Sequence, residues 1–341
     1  VLSGQEQGNA EPLGAEFHFA PAGERVRGRA GSSDCACVSD DRQDEGRPSA
    51  QGGHPEAPHV RGSNQPEQAD ILRGNGNNVG ICTSIVAPYR LKADISDIQT
   101  ASQFICSLIE TAKEPDNLTK YRVTVPEMSI ENEVSEEDLQ NKQIIIIRAK
   151  GKHNHSGSTP MAKRKDAVYG AAKLISSLSD IPSVTFLETC TPNWGANQIN
   201  DCCEIKFAIS DDDAWKLSKL KQETSSLTGV TFENIPEITK KDKSKGLFVD
   251  VRQQIGMDST LTADMIFETI KDIIHKTKQN VYMKITAKGD PYQTNAELVQ
   301  TAAQICETEK IPYEILQSWA GHDLATLTTN PEARTLLLFC K

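Results

Sequence analysis

The sequence predicts an α+β protein rich in antiparallel sheet, and three observations carry that prediction. Between about residues 69 and 290, β-branched runs alternate with helical stripes in the order βαββαβ, and that order occurs twice. The runs are punctuated by Gly, Pro, Asn and Asp, the residues that suit strand and helix ends. A βαββαβ run folds as a split βαβ, ferredoxin-like sandwich, an antiparallel sheet covered on one face by two helices. The expected organisation is two such sandwiches in tandem, near 91–190 and 202–290, followed by a shorter piece over 291–341.

Taken in order, GICTSIVAPYRLKADI is rich in strand formers. SDIQTASQFICSLIETAK then has a Ser/Asp start and sets Ile98, Ala101, Ile105, Leu108 and Ala112 on one helical face. YRVTVPEM and QIIIIRAKGK are strands, the second a continuous β-branched run of the kind that fills a buried central position. RKDAVYGAAKLISSLSD is a helix turning Val168, Ala171, Ala172, Ile175 and Leu178 one way, and SVTFLETC closes the first half. The second half opens on the strand CEIKFAIS. Its helix DDDAWKLSKLKQETSSL begins at three aspartates suited to the positive end of the helix dipole, and VTFENIP is a strand stopped by proline. GLFVDVR, the helix TLTADMIFETIKDIIHKTKQ with Ile266, Ile270, Ile273 and Ile274 inward, and VYMKITAKGDP complete it. Beyond Pro291, AELVQTAAQICETEK is a helix aligning Leu298, Ala302 and Ile305, and TLLLFC is an apolar strand. A buried strand as the final element gives this piece the look of a domain cut short.

Residues 1–68 differ in kind. Gly, Ala, Arg, Glu, Pro, Ser and Asp dominate without apolar periodicity, so the segment reads as disordered or foreign to the rest. Across all 341 residues, 47 acidic side chains against 37 basic ones give a net charge of -10, which repels phosphate backbones and argues against generic nucleic-acid binding. No apolar run reaches the roughly 18 residues of a membrane span, and the basic-then-apolar order of a secretory signal is missing. A soluble cytoplasmic protein with no membrane partner is the expectation. The nine cysteines, odd in number and scattered, fit free thiols, and neither Cys35/Cys37 nor Cys202/Cys203 has zinc-ribbon spacing.

The segment GKHNHSGSTPMAKRKDAVYGAAKLI is the most informative chemically. A strand runs out at Gly151 into a polar turn with His153, His155, Ser156, Gly157, Ser158, Thr159 and Pro160, just before a helix. Such a turn leaves backbone amides free, and a histidine within it can donate to an oxyanion or a carboxylate; a capped helix start with two exposed histidines is the plainer reading. Arg252, late in GLFVDVR, can bind a carboxylate through two parallel hydrogen bonds or form an ordinary surface ion pair.

HSGSTPM followed by Arg164, Lys165, Asp166 and Ala167 resembles the HAGxTPMxxRxDA motif in the lid domain of the zinc-dependent amidohydrolase/exopeptidase superfamily. That superfamily includes N-carbamoyl-L-amino-acid hydrolases, allantoate amidohydrolases and dinuclear-zinc dipeptidases. VGICTSIVAPYRLKADI is similar to the strand entering the lid, TPNWGANQIN to its PNxxNxIP segment and QSWAGHDLATL to SGAGHDA near the active site. The resemblance implies a lid (dimerisation-type) domain over 69–290 and part of an α/β zinc-peptidase-like catalytic domain over 291–341.

It further implies that His155 polarises the scissile carbonyl and that Asn197, Gly321 and His322 lie against the substrate. Arg252 matches the arginine of a DIR strand motif, which binds the substrate carboxylate, whereas CEIKFAIS places Ser210 at the equivalent position. Two zinc ions are the implied cofactor. The implied substrate is a small amino-acid-like molecule: an N-carbamoyl or N-acyl amino acid, a ureide or a dipeptide. Metal ligands stay unassigned, because the family's HxD and GxSH segments have no counterpart and His18, His54 and His59 are not followed by Asp at that spacing. Lids in this superfamily act across a homodimer or as a duplicated lid within a monomer, so either state is implied. A chain without assigned ligands also fits a non-catalytic lid or interaction module, or a ferredoxin-like small-molecule-binding regulator.

Overall fold

The computed structural model describes residues 16–19, 79–239, 246–253, 259–277, 281–289, 291–322, 324 and 333–340. Apart from one short strand, β1 (Glu16–Phe19), the expectation for residues 1–68 lies outside the described residues. The mixed α+β class is as expected. After β2 (Val79–Ile85), the chain makes four βαβ steps. The first is β3 (Pro88–Asp94), α1 (Ile98–Lys113) and β4 (Tyr121–Glu131). The second is β5 (Lys142–Lys150), the short β6 (Asn154–His155), α2 (Ala167–Leu178) and β7 (Thr185–Cys190). After β8 (Gln198–Ile199) come β9 (Cys202–Ser210), α3 (Lys216–Thr228) and β10 (Thr231–Asn234), and the fourth step is β11 (Gly246–Gln253), α4 (Ser259–Thr277) and β12 (Val281–Lys288).

The large sheet has nine strands in the order β1-β12-β3-β11-β4-β7-β9-β5-β10. In that order the first and fourth steps interleave as β12-β3-β11-β4, and the second and third as β7-β9-β5-β10. Each set is a split βαβ arrangement. The tandem division expected at 91–190 and 202–290 is thereby corrected: the second set is inserted within the first, between β4 and β11. Four consecutive βαβ steps read alike along the chain whether the first step pairs with the second or with the fourth, and only long-range strand pairing separates the two. The sets join where β4 meets β7 antiparallel, through Ile130↔Thr189 and Glu131↔Glu188. Side chains extend that short seam: the Thr189 and Thr191 hydroxyls accept from the Ile130 and Met128 amides at 3.2 and 3.1 Å.

The stripes of α1 and α2 do what their spacing predicts. Asp97 caps α1 by accepting from the Thr100 amide at 2.6 Å, and α1 buries Ile98, Ala101, Ile105, Leu108 and Ala112 together with Phe104 and Ile109. In α2, Val168, Ala171, Ala172, Ile175 and Leu178 are all buried. Burial of each large aliphatic side chain contributes about 1.5–3 kcal/mol. In α4, Ile266 and Ile270 are buried, while the side chains of Ile273 and Ile274 lie outside the described residues.

Two expectations about single elements are corrected. β5 is not central: it sits second from the sheet edge and leaves Ile144 53% exposed, because no helix among the described residues covers its outward face. The three aspartates precede α3 rather than open it, and Asp213 instead accepts from Lys216 Nζ at 2.6 Å and Ser183 Oγ at 2.6 Å. Pro126 interrupts β4 at a register shift opposite β11, where a missing amide is tolerated.

A second sheet is organised around β2. It pairs in parallel with β14 (Tyr313–Ser318) and antiparallel with β13 (Tyr292–Gln293) and β15 (Leu337–Cys340). Between β13 and β14 runs α5 (Ala296–Thr308), capped by Asn295. Its expected stripe is only partly right, since Ile305 is 54% exposed and Cys306 is the residue turned inward. A third, two-stranded sheet pairs β6 with β8. Cys82, Cys106, Cys190, Cys202, Cys203 and Cys306 are free thiols, and among the described residues no helix is long and apolar enough to cross a membrane.

Candidate functional site

The turn between β6 and α2 is held from both ends. On one side β6 pairs with β8, setting His155 opposite Gln198, and the Ser156 amide donates to the Asn197 carbonyl at 2.8 Å. On the other, Asp166 caps α2 by accepting from the Val168 and Tyr169 amides at 3.0 and 3.3 Å. Within the turn, the Thr159 amide and hydroxyl both donate to the His155 carbonyl, at 3.2 and 2.9 Å. Arg164 is buried and knits the loop to β4. It donates to the carbonyls of Thr159 at 2.9 Å, Ser156 at 2.5 Å and Val123 at 2.5 Å, and to the Thr124 hydroxyl at 2.7 Å. The arginine and aspartate of the RKDA string are thus scaffold for the turn, and the fully buried Asp166 has its carboxyl pushed up to about 6 by that burial.

His155 is fixed in one tautomer by its surroundings. Its Nδ1 accepts from the Gly157 amide at 3.0 Å and the Ser158 amide at 3.2 Å, so the ring proton resides on Nε2. Burial foremost, then the charge of Arg252, lowers its pKa to about 4, with Asp250 opposing and Arg122 and Arg164 adding to the fall. At neutral pH this is an uncharged imidazole with one N–H to give. Position 157 must be glycine here, since a Cβ would come within 2.1 Å of the Trp319 carbonyl oxygen. The neighbouring Ser158 hydroxyl is buried and has no partner among the described residues.

Asp250 is the hub beside the turn. It is fully buried in β11 and accepts from Ser156 Oγ at 2.8 Å and Arg252 Nε at 3.0 Å on one carboxylate oxygen, and from Arg90 Nε at 2.9 Å on the other. Strand alternation places Asp250 and Arg252 on one face, and register sets Arg90 across from Asp250 and Arg122 across from Arg252. Arg122 donates to the Gly157 carbonyl and stacks over the Trp319 ring at 4.3 Å, while Arg252 Nη1 donates to the Trp319 carbonyl at 3.2 Å. The segment leaving β14 is therefore clasped against the His155 turn by two arginines.

Of the residues expected at the site, His155 and Arg252 come together around Asp250. Arg252 is enclosed, its side chain 3% exposed and its guanidinium turned to Asp250 and Trp319. Asn197 is half-buried and holds Ser156 through its backbone. Gly321 is exposed, and His322 stays with the small sheet: its Nε2 is 2.8 Å from Ser318 Oγ and its ring meets Phe339 edge-on at 5.8 Å. Ser210 closes β9, 3.3 Å from Asp213 Oδ2, and brings no cation. His153 is exposed, and Asp323, His54 and His59 lie outside the described residues. Asp250, Arg90, Arg122 and Trp319 were not anticipated, although the alternation within VDVR already set Asp250 on the face of Arg252.

The two zinc ions implied by the resemblance find no ligand set here. Among the described residues no three of His, Cys, Asp and Glu converge. The nearest candidates are already occupied, His155 Nδ1 by two amides and Asp250 by three donors, so this donor set does not fit the metal.

No protein-family model matches the chain. Allantoate amidohydrolase of Escherichia coli (strain K12) is 22% identical over 193 residues, which is 57% of this chain and 38% of that protein. Among solved structures, a hydantoinase/carbamoylase family amidase from Burkholderia ambifaria is 16% identical at a TM-score of 0.25, covering 64% of this chain and 42% of that one. Aminoacylhistidine dipeptidase from Vibrio alginolyticus is 10% identical at a TM-score of 0.46, covering 75% of this chain and 55% of that one. The chain spans less than two thirds of the length of each of these relatives.

Proposed function

From this kinship with the amidohydrolase and peptidase superfamily, carried by the HSGSTPM turn and the allantoate amidohydrolase relationship, we propose that the chain serves amide-bond hydrolysis in a small amino-acid-like molecule. The substrate classes are an N-carbamoyl or N-acyl amino acid, a ureide and a dipeptide. The observation that carries the reading is the state of His155. With Nδ1 filled by two amides and the ring neutral, its Nε2–H is the donor left for a substrate carbonyl. As that carbonyl is attacked its oxygen gains charge, and a donor already fixed in place binds the transition state more tightly than the substrate. Loss of one such donor costs about 10²–10³ in kcat.

Asn197 and Arg252 support the substrate side in this reading, Asn197 by holding Ser156 and Arg252 by orienting Asp250 beneath the turn. Zinc is the cofactor that the resemblance implies, and the described residues offer it no ligand set. The nested pair of split βαβ sets favours a monomer, with the inner set in the place of a partner's lid.

The test is a zinc-supplemented hydrolysis screen over the four substrate classes with the wild type, His155→Ala and His155→Gln. Turnover is expected on at least one class, falling about 100-fold or more in His155→Ala and partly kept by the amide N–H of His155→Gln. Equal turnover in His155→Ala removes the histidine from the chemistry. Absence of turnover on every class sinks the catalytic reading and leaves a non-catalytic lid or small-molecule-binding regulator.

A further inference from the structure

Arg252, the arginine that the sequence nominates for a substrate carboxylate, is spent within the fold. Its side chain is 3% exposed, its Nε is on Asp250 and its Nη1 is on the Trp319 carbonyl. A guanidinium so enclosed keeps no open edge for a bidentate carboxylate. Arg90 is arranged the other way. It spends only Nε, on Asp250 Oδ1 at 2.9 Å, its side chain is 25% exposed, and its two terminal nitrogens have no hydrogen-bond partner among the described residues. Because Asp250 grips Nε, the rest of the planar fork is held in one orientation, and little side-chain freedom remains to be lost on binding.

Charge points the same way. Two guanidiniums share the single Asp250 carboxylate, so the trio keeps a net charge of one positive unit that a further anion can balance. That same carboxylate holds Ser156, the residue after His155, which sets Arg90 one carboxylate away from the turn that carries the carbonyl donor. We propose that Arg90 is the residue that binds the substrate's carboxylate and so selects amino-acid-like molecules over simple amides. The proposal rests on the reading of this site as one for amino-acid-like substrates.

It is tested by NMR titration of the full chain with two probes, N-carbamoyl-L-alanine and ethylurea, which is the same molecule without its carboxylate. The wild type is expected to bind the first about 10-fold or more tightly than the second. Arg90→Gln brings that ratio close to one while leaving ethylurea binding unchanged. Arg90→Lys preserves the cation on Asp250, and with it the fold, and retains only part of the ratio because the fork is gone. A wild type that does not favour the carboxylate probe overturns the proposal, as does a ratio that survives intact in a folded Arg90→Gln or Arg90→Lys protein. Hydrolysis is read separately: turnover together with an intact ratio in Arg90→Gln removes Arg90 and keeps the hydrolase reading. A lost ratio without turnover keeps Arg90 and removes catalysis.

Discussion

Two ionisable groups at the two ends of the turn into α2, the half-buried His155 and the buried Asp166, are displaced in opposite senses. His155 falls from 6.5 to about 4, chiefly by burial and then by Arg252, so the stability gained from keeping it neutral is present above 6.5 and is lost as pH falls through 4. Asp166 rises from 3.8 to about 6 by burial, against the pull of its amide donors and Arg164. Its contribution is present below 3.8 and is lost as pH rises through 6. Between pH 4 and 6 the two slopes oppose one another, and the wild type should show little net change from them. Asp166→Asn leaves the histidine alone and should lose stability from pH 6.5 down to 4, whereas His155→Gln leaves the aspartate alone and should lose it from pH 4 up to 6. Urea melts across that range check this, and parallel profiles in all three proteins would contradict it. His155 and Arg252 could be picked out by residue type and position. Arg90 could not, because its meaning comes from a carboxylate 160 residues away that only strand pairing brings beside it.

The turn that presents His155 depends on an element-level joint, the tie from Arg164 to β4. Its four acceptors come from two parts of the chain, Ser156 and Thr159 in the turn and Val123 and Thr124 in the strand, so removing the guanidinium leaves buried oxygens unpaired on both sides. Arg164→Met should destabilise the protein by about 3 kcal/mol or more in chemical denaturation, and a loss below about 1 kcal/mol would show that the tie is not needed. The elements themselves were readable in proportion to how local their cause is. The stripes of α1 and α2 and their Asp caps follow from spacing within a single helix. The position of β5 does not, because an Ile run looks the same in a central strand and in one whose outer face is left open, as at Ile144. Likewise Asp211, Asp212 and Asp213 resemble a helix start, but the chain stays in turns until Lys216.

At the scale of the whole molecule, nesting is what brings the inner turn with His155 against the outer strands with Arg90, Asp250 and Arg252. β3 and β11 are direct neighbours, with Lys92 opposite Phe248, although the whole inner set separates them along the chain. A Lys92→Cys, Phe248→Cys protein should therefore form an intramolecular disulfide on mild oxidation, seen by mass spectrometry of the non-reduced digest. A tandem fold separates these strands into different units, and failure to cross-link would favour it. Such pairing is invisible along the chain, where four βαβ steps follow one another without a mark of which belongs with which. The central claim, however, is that this assembly holds His155 as a neutral donor, and it is tested most directly by nitrogen-15 NMR of the histidine ring across pH. The account predicts an unprotonated Nδ1, a protonated Nε2 at pH 7 and a midpoint near 4. A proton on Nδ1, or a midpoint near the ordinary 6.5, would contradict it.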